Sequence, residues 1–313
     1  MPGISHVIEE QINSSLRLDR YISEVLRLFS RSQIKSRNLK AKINGKDVKL
    51  SRLVKYNDTL DLIWEDSPPE NIIPQDIPLD IVYEDENCIV INKVQGMVVH
   101  PGAGNRQGTM ANALYYRNMQ KRNCYKPEEQ TGGLRPGIVH RLDKETSGII
   151  IAAYNEETHA FLAQQFKLRK TRKTYIALVI GVPKEKTGRL DTFITRDPKD
   201  RKKFTVSSAG KMAVTFYKVI RCWENHSLIL VRPKTGRTHQ LRVHLKYIGH
   251  PILGDPVYGY SDKTFPFVSL MLHSKNLEIT LPGETQPRIF SSGMPQRFEQ
   301  VIKELDSAGC KHG

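Results

Sequence analysis

Gly137-Ile138-Val139-His140-Arg141-Leu142-Asp143-Lys144-Glu145-Thr146-Ser147-Gly148-Ile149-Ile150-Ile151 sets a polar turn between two apolar, strand-like runs. Apolar runs on both sides predict that the turn's backbone is held rigidly against a core. The turn presents the carboxylate of Asp143 beside the cations Arg141 and Lys144. Positive charge around a carboxylate favours its ionised form, and such a group can act as a nucleophile or base on an anionic polymer. The residue pattern alone also allows a plainer role, since an Asp just ahead of Thr-Ser-Gly commonly hydrogen-bonds the backbone of its own turn.

Outward from this turn, β-rich runs at 79–84, 88–92, 148–153, 173–180, 212–221, 226–232 and 270–280 predict strands. A helix is predicted over 156–168, with Asn155 as its N-cap and Glu156 and Glu157 in its first turn. Others are predicted at 109–116 and from Thr238 to Ile248. Many strands adjoin without a helix between them, so the pattern is a mixed, mainly antiparallel sheet with flanking helices, an α+β fold. Arg117 to Gly133, rich in Lys, Arg, Glu and Gln, is read as a mobile surface insertion.

Residues 16–65 read as a separate basic unit. Leu18, Tyr21, Ile22, Val25, Leu26 and Phe29 keep helical spacing, Ser30 or Ser32 can cap a second helix through Ile34 and Arg37, and Lys42-Ile43-Asn44-Gly45-Lys46 reads as a strand entering an Asn-Gly hairpin turn. Thr59 to Ile63 alternates as a closing strand. Between 16 and 56, twelve Lys and Arg face three acids, Asp19, Glu24 and Asp47. Prolines 68, 69, 74 and 78 mark an extended spacer, so the predicted organisation is a basic domain over 1–66, a Pro-rich linker over 67–78 and a large domain over 79–313.

The 313 residues carry 48 Lys and Arg against 33 Asp and Glu, a net charge of +15. A balance of that size and sign suits a polyanion, because each neutralised phosphate releases counterions. No apolar run approaches the roughly 18 residues a membrane span needs, and the N-terminus lacks the apolar segment of a signal peptide. Cys88, Cys124, Cys222 and Cys310 are widely spaced without a C-x-x-C pair, so they are expected as reduced thiols in a cytosolic protein, not as a disulfide frame or zinc site. Gly102 to Gly108 lacks dinucleotide-loop spacing and reads as a turn before the helix at 109–116. His239 and His244 are five apart with no Glu between them, the wrong arrangement for a zinc protease pair. The paired carboxylates of a glycoside hydrolase are absent near Asp143 unless Glu145 serves.

The turn resembles the HRLD-x-x-TSG signature of the RluA-type RNA pseudouridine synthases. Asn87 to Gly108 is similar to that family's first motif, with Val94 where proline is usual, which removes a backbone constraint but no reactive group. Lys170 to Val179 (KTRKTYIALV), Arg232 to His244 (RPKTGRTHQLRVH) with Gly249 to Gly259, and Leu272-His273-Ser274 follow in family order, covering most of 79–281. The basic unit resembles the S4 RNA-binding domain in its R-L-D-x-x-I start and I-N-G-K turn.

The resemblance implies isomerisation of uridine to pseudouridine within RNA, without cofactor or metal, in a cytoplasmic enzyme that is a monomer with no obligate protein partner. It implies Asp143 as the nucleophile at C1′ or the base at C2′, Arg242 as its guanidinium partner with Arg237 as the fallback, and Tyr175 against the base. Arg141 is implied to fill the space left by the flipped base, while His140 is expected to line the substrate site mainly by packing and hydrogen bonding. Five cations between Lys167 and Lys173, among them Lys170 and Lys173, suit phosphate contacts, and Lys199, Arg201, Lys202 and Lys203 form a weaker second cluster. The resemblance points most to the RluD-like branch acting on large-subunit ribosomal RNA. A transfer-RNA enzyme of the same family, a catalytically silent RNA-binding assembly factor and a base-releasing hydrolase are the alternatives.

Overall fold

The structure is a computed structural model and describes residues 3–9, 16–26, 28–29, 34, 37–65, 72–102, 104–122, 137–200 and 202–309. Ser30, Ser32, Cys124, Arg201, Cys310, the first part of the spacer and most of the predicted insertion lie outside these residues. The described residues form two compact units, 3–65 and 72–309.

In the N-terminal unit an antiparallel sheet of order β1-β4-β2-β3 is built from β1 (Gly3–Val7), β2 (Lys40–Ile43), β3 (Lys46–Val48) and β4 (Thr59–Ile63). Asn44 and Gly45 both have left-handed backbone, φ 53° and 77°, which gives the β2–β3 hairpin a twist matching its strands. The predicted first helix is short: α1 (Leu18–Arg20) widens over Tyr21–Val25, where the Leu26 N–H donates to the Tyr21 carbonyl at 3.0 Å. Its apolar face is as spaced, with Leu18, Tyr21 and Ile22 buried against Ala41, Leu60 and Leu62.

The larger unit centres on a sheet of order β10-β9-β11-β12-β8-β13-β7-β6-β5, with β14 (Arg288–Ser291) paired to β13. Its strands are β5 (Ile81–Glu84), β6 (Cys88–Lys93), β7 (Ser147–Ala153), β8 (Arg172–Ile180), β9 (Thr187–Arg196), β10 (Phe204–Ser207), β11 (Lys211–Cys222), β12 (His226–Pro233) and β13 (Leu272–Ile279). All pairings are antiparallel except β13 with β7. The central strands are apolar at consecutive positions because both faces are covered. In β7, Ile150 and Ala152 join one core cluster while Ile149, Ile151 and Ala153 join another. Leu162 of α3 (Glu156–Lys167) packs in the latter. Met110 and Leu114 of α2 (Met110–Arg122), Leu241 and Leu245 of α4 (Gln240–Tyr247), and Phe298, Val301 and Leu305 of α5 (Gln296–Gly309) pack in the former.

Several expectations are corrected. Ile138 makes only a single bridge to Ala152, so 137–139 is not a strand. Residues 117–122 are not loop but the last turns of α2, where Arg117 and Lys121 both pair with Glu84. Those cations hold Glu84 down to a pKa of about 2, against the opposing effect of burial. The described end of the spacer is tied down: Asn112 Nδ2 donates to the Ile73 carbonyl at 2.8 Å, and the Gly108 N–H donates to Gln75 Oε1 at 2.7 Å. Asn155 does cap α3, accepting the Thr158 N–H at 2.8 Å. Cys88 and Cys222 are free thiols, and among the described residues no helix is long and apolar enough to cross a membrane.

Candidate active site

Strand register brings the decisive residues together. Gly148 pairs with Ser274 across the parallel β7–β13 contact, and Ser274 pairs with Tyr175 on β8, so the Asp143 turn and Tyr175 flank one row of the sheet. Gly148 has φ +114°, and a Cβ there would lie 2.2 Å from the Ser274 carbonyl oxygen. Only glycine permits that close strand approach. Thr146 N–H donates to the Asp143 carbonyl at 3.1 Å, closing the turn. Beneath it, the buried Lys93 ammonium donates to the carbonyls of Val94, Met97 and Lys144 at 2.9, 2.9 and 3.1 Å. Burial lowers the Lys93 pKa to about 8, with the charges of Glu145 and Asp143 opposing. Gln95 Nε2 adds a bond to the Glu145 carbonyl at 3.0 Å. The rigid turn expected from its apolar flanks is thus fixed by a lysine and a glutamine from the preceding motif.

A cavity of about 440 Å³ opens in front of Asp143, lined by 139–143, Thr146, Phe166, Lys167, Arg169, Thr171, Lys173, Tyr175, 233–242 and Leu272. Asp143 is the one acid among its described lining residues, against Arg141, Lys167, Arg169, Lys173, Lys234, Arg237 and Arg242. Arg242 Nη1 stands 3.6 Å from Asp143 Oδ2. Its guanidinium is buried and held from behind by Asp255, Nε to Oδ2 at 2.8 Å and Nη2 to Oδ1 at 2.7 Å. Asp255 also accepts the backbone N–H groups of Val257 and Tyr258 at 2.9 and 3.0 Å. Burial works against both charges, but the pairing overrides it, raising the Arg242 pKa and lowering that of Asp255.

Arg237, the fallback partner, is turned elsewhere, its Nε donating to the Met212 carbonyl at 3.0 Å. Its loop is pinned by Gln240, which accepts from Thr235 Oγ1 and the Arg237 N–H and donates to the Val214 carbonyl and Thr215 Oγ1. His140 Nε2 accepts the Ile151 N–H at 3.0 Å and its ring stacks on Phe166 at 4.4 Å. Burial, with Lys173 nearby, lowers its pKa to about 3, so it is a neutral packing group on the cavity wall. Tyr175 is buried, which pushes its hydroxyl up to about 12 and keeps it a neutral phenol. Lys173 is half-buried with its pKa lowered by burial, and Arg141 is exposed at the cavity edge.

Lys170 is exposed and outside the lining, whereas its neighbours Lys167 and Arg169 are within it. Helical phase explains the difference: α3 ends in a reversal in which the Lys170 N–H bonds the Gln165 carbonyl and Arg169 takes φ +57°, a position favouring glycine. Arg169→Gly is expected to raise stability by about 0.5–1 kcal/mol, read as a higher thermal midpoint, while weakening RNA affinity. A lower midpoint would mean that the guanidinium is a structural anchor. In the second basic cluster, Lys203 is engaged with Asp200 at 3.6 Å.

Three residues near Asp143 went unassigned in the sequence. Asp255 and Tyr258 lie in the Gly249–Gly259 motif, whose sequence does not indicate what they touch, and the His239/His244 spacing excludes only a zinc protease pair. His239 Nε2 lies 3.9 Å from Asp143 Oδ2, and its Nδ1 lies 2.8 Å from the Tyr258 hydroxyl.

The family described as RNA pseudouridylate synthase matches residues 87–247. A ribosomal large subunit pseudouridine synthase D of Borreliella burgdorferi is 46% identical over 292 residues, 91% of this chain and 88% of the relative. One of the same name from Zymomonas mobilis is 39% identical over 303 residues, 92% of this chain and 93% of the relative. Among solved structures, human RNA Pseudouridylate Synthase Domain Containing 4 superposes with a TM-score of 0.59 at 26% identity, covering 72% of this chain and 92% of that one. The matched span carries the Asp143 turn, Tyr175 and Arg242 in one cavity, and the chain belongs to the RNA pseudouridylate synthase family of isomerases.

Proposed function

We propose that this isomerase converts uridines of large-subunit ribosomal RNA to pseudouridine, with Asp143 as the reactive group. The observation that carries the reading is a lone carboxylate in a cation-lined cavity, 3.6 Å from a buried guanidinium that is itself clamped. Isomerisation breaks N1–C1′, turns the base, joins C5 to C1′, releases the C5 proton and returns a proton to N1. Asp143 serves either by attacking C1′ or by taking the C2′ proton. Tyr175 lies against the base and its neutral hydroxyl hands on a proton late in the reaction. A stacked uridine must leave its helix to reach the cavity; Arg141 occupies the vacated space, and Lys167, Arg169 and Lys173 hold the flanking phosphates.

The ribosomal target is supported by the relatives named for the large subunit. A base-releasing hydrolase is disfavoured because Glu145, the other acid of the turn, is outside the cavity lining. The experiment is release of tritium from C5-labelled uridine in large-subunit RNA, with pseudouridines mapped in total RNA with and without the gene. Tritium released while the strand keeps its base supports the synthase. A change confined to transfer RNA would move the target to the alternative.

The N-terminal unit is read as an S4-like RNA-binding domain, supported by its Asn-Gly hairpin and its twelve cations between 16 and 56. Deleting residues 1–66 is expected to weaken RNA affinity about tenfold or more, as lost phosphate contacts do, and to leave a catalytic domain that unfolds cooperatively. Unchanged affinity in a filter-binding titration would remove the RNA-binding role.

A further inference from the structure

His239 is built into the site by features that its place in the fold does not need. It occupies the N-cap of α4, where Ser, Thr, Asp or Asn in extended backbone would accept a helix N–H. Instead its backbone is left-handed, φ 56° and ψ 16°, and its side chain makes no capping bond. Left-handed backbone is costly for a residue with a Cβ and persists where surrounding structure enforces it. The ring points into the cavity, held edge-on by Phe204 at 5.7 Å and by Tyr258 at 5.5 Å between centroids.

The hydrogen bonds around Tyr258 bear on which nitrogen of that ring carries the proton. The Tyr258 oxygen accepts the Phe204 N–H at 2.9 Å. Among the described residues, the acceptor available to its own hydrogen is His239 Nδ1, at 2.8 Å. Donation by that buried hydroxyl makes Nδ1 the acceptor, and a neutral ring then carries its hydrogen on Nε2. That Nε2 faces Asp143 Oδ2 at 3.9 Å, the same oxygen that Arg242 Nη1 approaches at 3.6 Å.

We propose that His239 is a positioning residue for Asp143: Tyr258 locks it as the Nε2–H tautomer, and that hydrogen joins Arg242 in holding one carboxylate oxygen while the other meets the ribose. The inference rests on Asp143 being the reactive group. Charged and titratable groups facing the ring are Asp143 and Arg141 from the turn, Arg242 from α4, and Asp255 and Tyr258 from the loop after α4. Burial lowers the His239 pKa, opposed by Asp143, so the ring stays neutral near pH 7.

Two variants test this in the full-length enzyme. His239→Asn tolerates left-handed backbone but is too short to reach both partners. It is expected to lower kcat roughly 10–100-fold, the scale of a reacting group misplaced by about 1 Å, with KM within about twofold. Tyr258→Phe removes the lock, so part of the population carries hydrogen on Nδ1 and turns a lone pair toward the carboxylate. Protonating that ring restores an Nε2 hydrogen, and burial moves that protonation below the ordinary histidine range, so kcat of Tyr258→Phe relative to the parent enzyme should rise several-fold as the pH falls from about 7 to about 5. Nitrogen-15 shifts of His239 should report the Nε2–H tautomer in the parent and a mixture in Tyr258→Phe. A pH-independent deficit in Tyr258→Phe, or His239→Asn with kcat within twofold of the parent, would overturn the proposal. An active Asp143→Asn enzyme would instead remove the reading beneath it, so the two failures are distinct.

Discussion

Asp143→Asn should abolish tritium release from C5-labelled uridine, by roughly 10³-fold or more, the scale of removing a nucleophile or essential base. The substitution keeps shape, and an amide oxygen can still face Arg242. The charge it removes is not the one that stabilises the buried guanidinium, because Asp255 bonds it through two nitrogens. Folding and RNA affinity should therefore change little. The measurement pairs the tritium assay with thermal unfolding and a binding titration on the same preparation. Retention of more than about a tenth of the activity would take the reactive role away from Asp143, while lost activity with a collapsed melting transition would make its role structural.

Asp255→Ala should show the opposite division. It leaves Arg242, 4% exposed, without its bidentate partner. Breaking a buried ion pair on one side costs about 3–5 kcal/mol, and the remaining charge keeps only the looser contact with Asp143 at 3.6 Å, so thermal unfolding should begin roughly 10 °C lower. Activity should fall as well, since Asp255 sets where the guanidinium meets Asp143. A paired change separates these effects. Asp255→Leu with Arg242→Met replaces the ion pair by apolar groups of similar size, which is often neutral for stability, and should recover part of the melting temperature, less the cost of the Val257 and Tyr258 N–H groups left without Asp255, without recovering turnover. A stability loss below about 1 kcal/mol in Asp255→Ala would mean that water reaches the pair.

How far the sequence could be read follows from where each side chain spends its surface. The central strands were legible because two covered faces bury every position, as in Ser147–Ala153, and leave a continuous apolar run at Ile149–Ala153. β9 was not, since Thr187–Arg196 is exposed at alternate positions and carries Arg189, Asp191 and Arg196. α5, which is not among the predicted helices, keeps helical spacing at Phe298, Val301 and Leu305, and all three are buried. In the site, Asp143 and Arg242 were found by motif, and the structure brings them to 3.6 Å. Asp255 and Tyr258 were invisible as partners because their contacts run 13 and 19 residues back along the chain, to Arg242 and His239. That Lys170 lies outside the cavity lining while Lys167 and Arg169 lie within it could not be read from a run of cations, which says nothing about which of them a helix end turns toward a cavity.

The row Gly148, Ser274, Tyr175 has a consequence for how this enzyme can fail. One hydrogen-bonded line across three strands sets the separation between the acid turn and the tyrosine, so β-sheet alignment acts as the ruler of the site. A slip of one residue on either neighbour would reverse which face its side chains occupy. Partial function through a slightly misaligned sheet is therefore closed to this molecule. Catalysis and the integrity of the central strands should be gained and lost as one event, leaving gradual tuning to the loops and helix caps at the cavity rim.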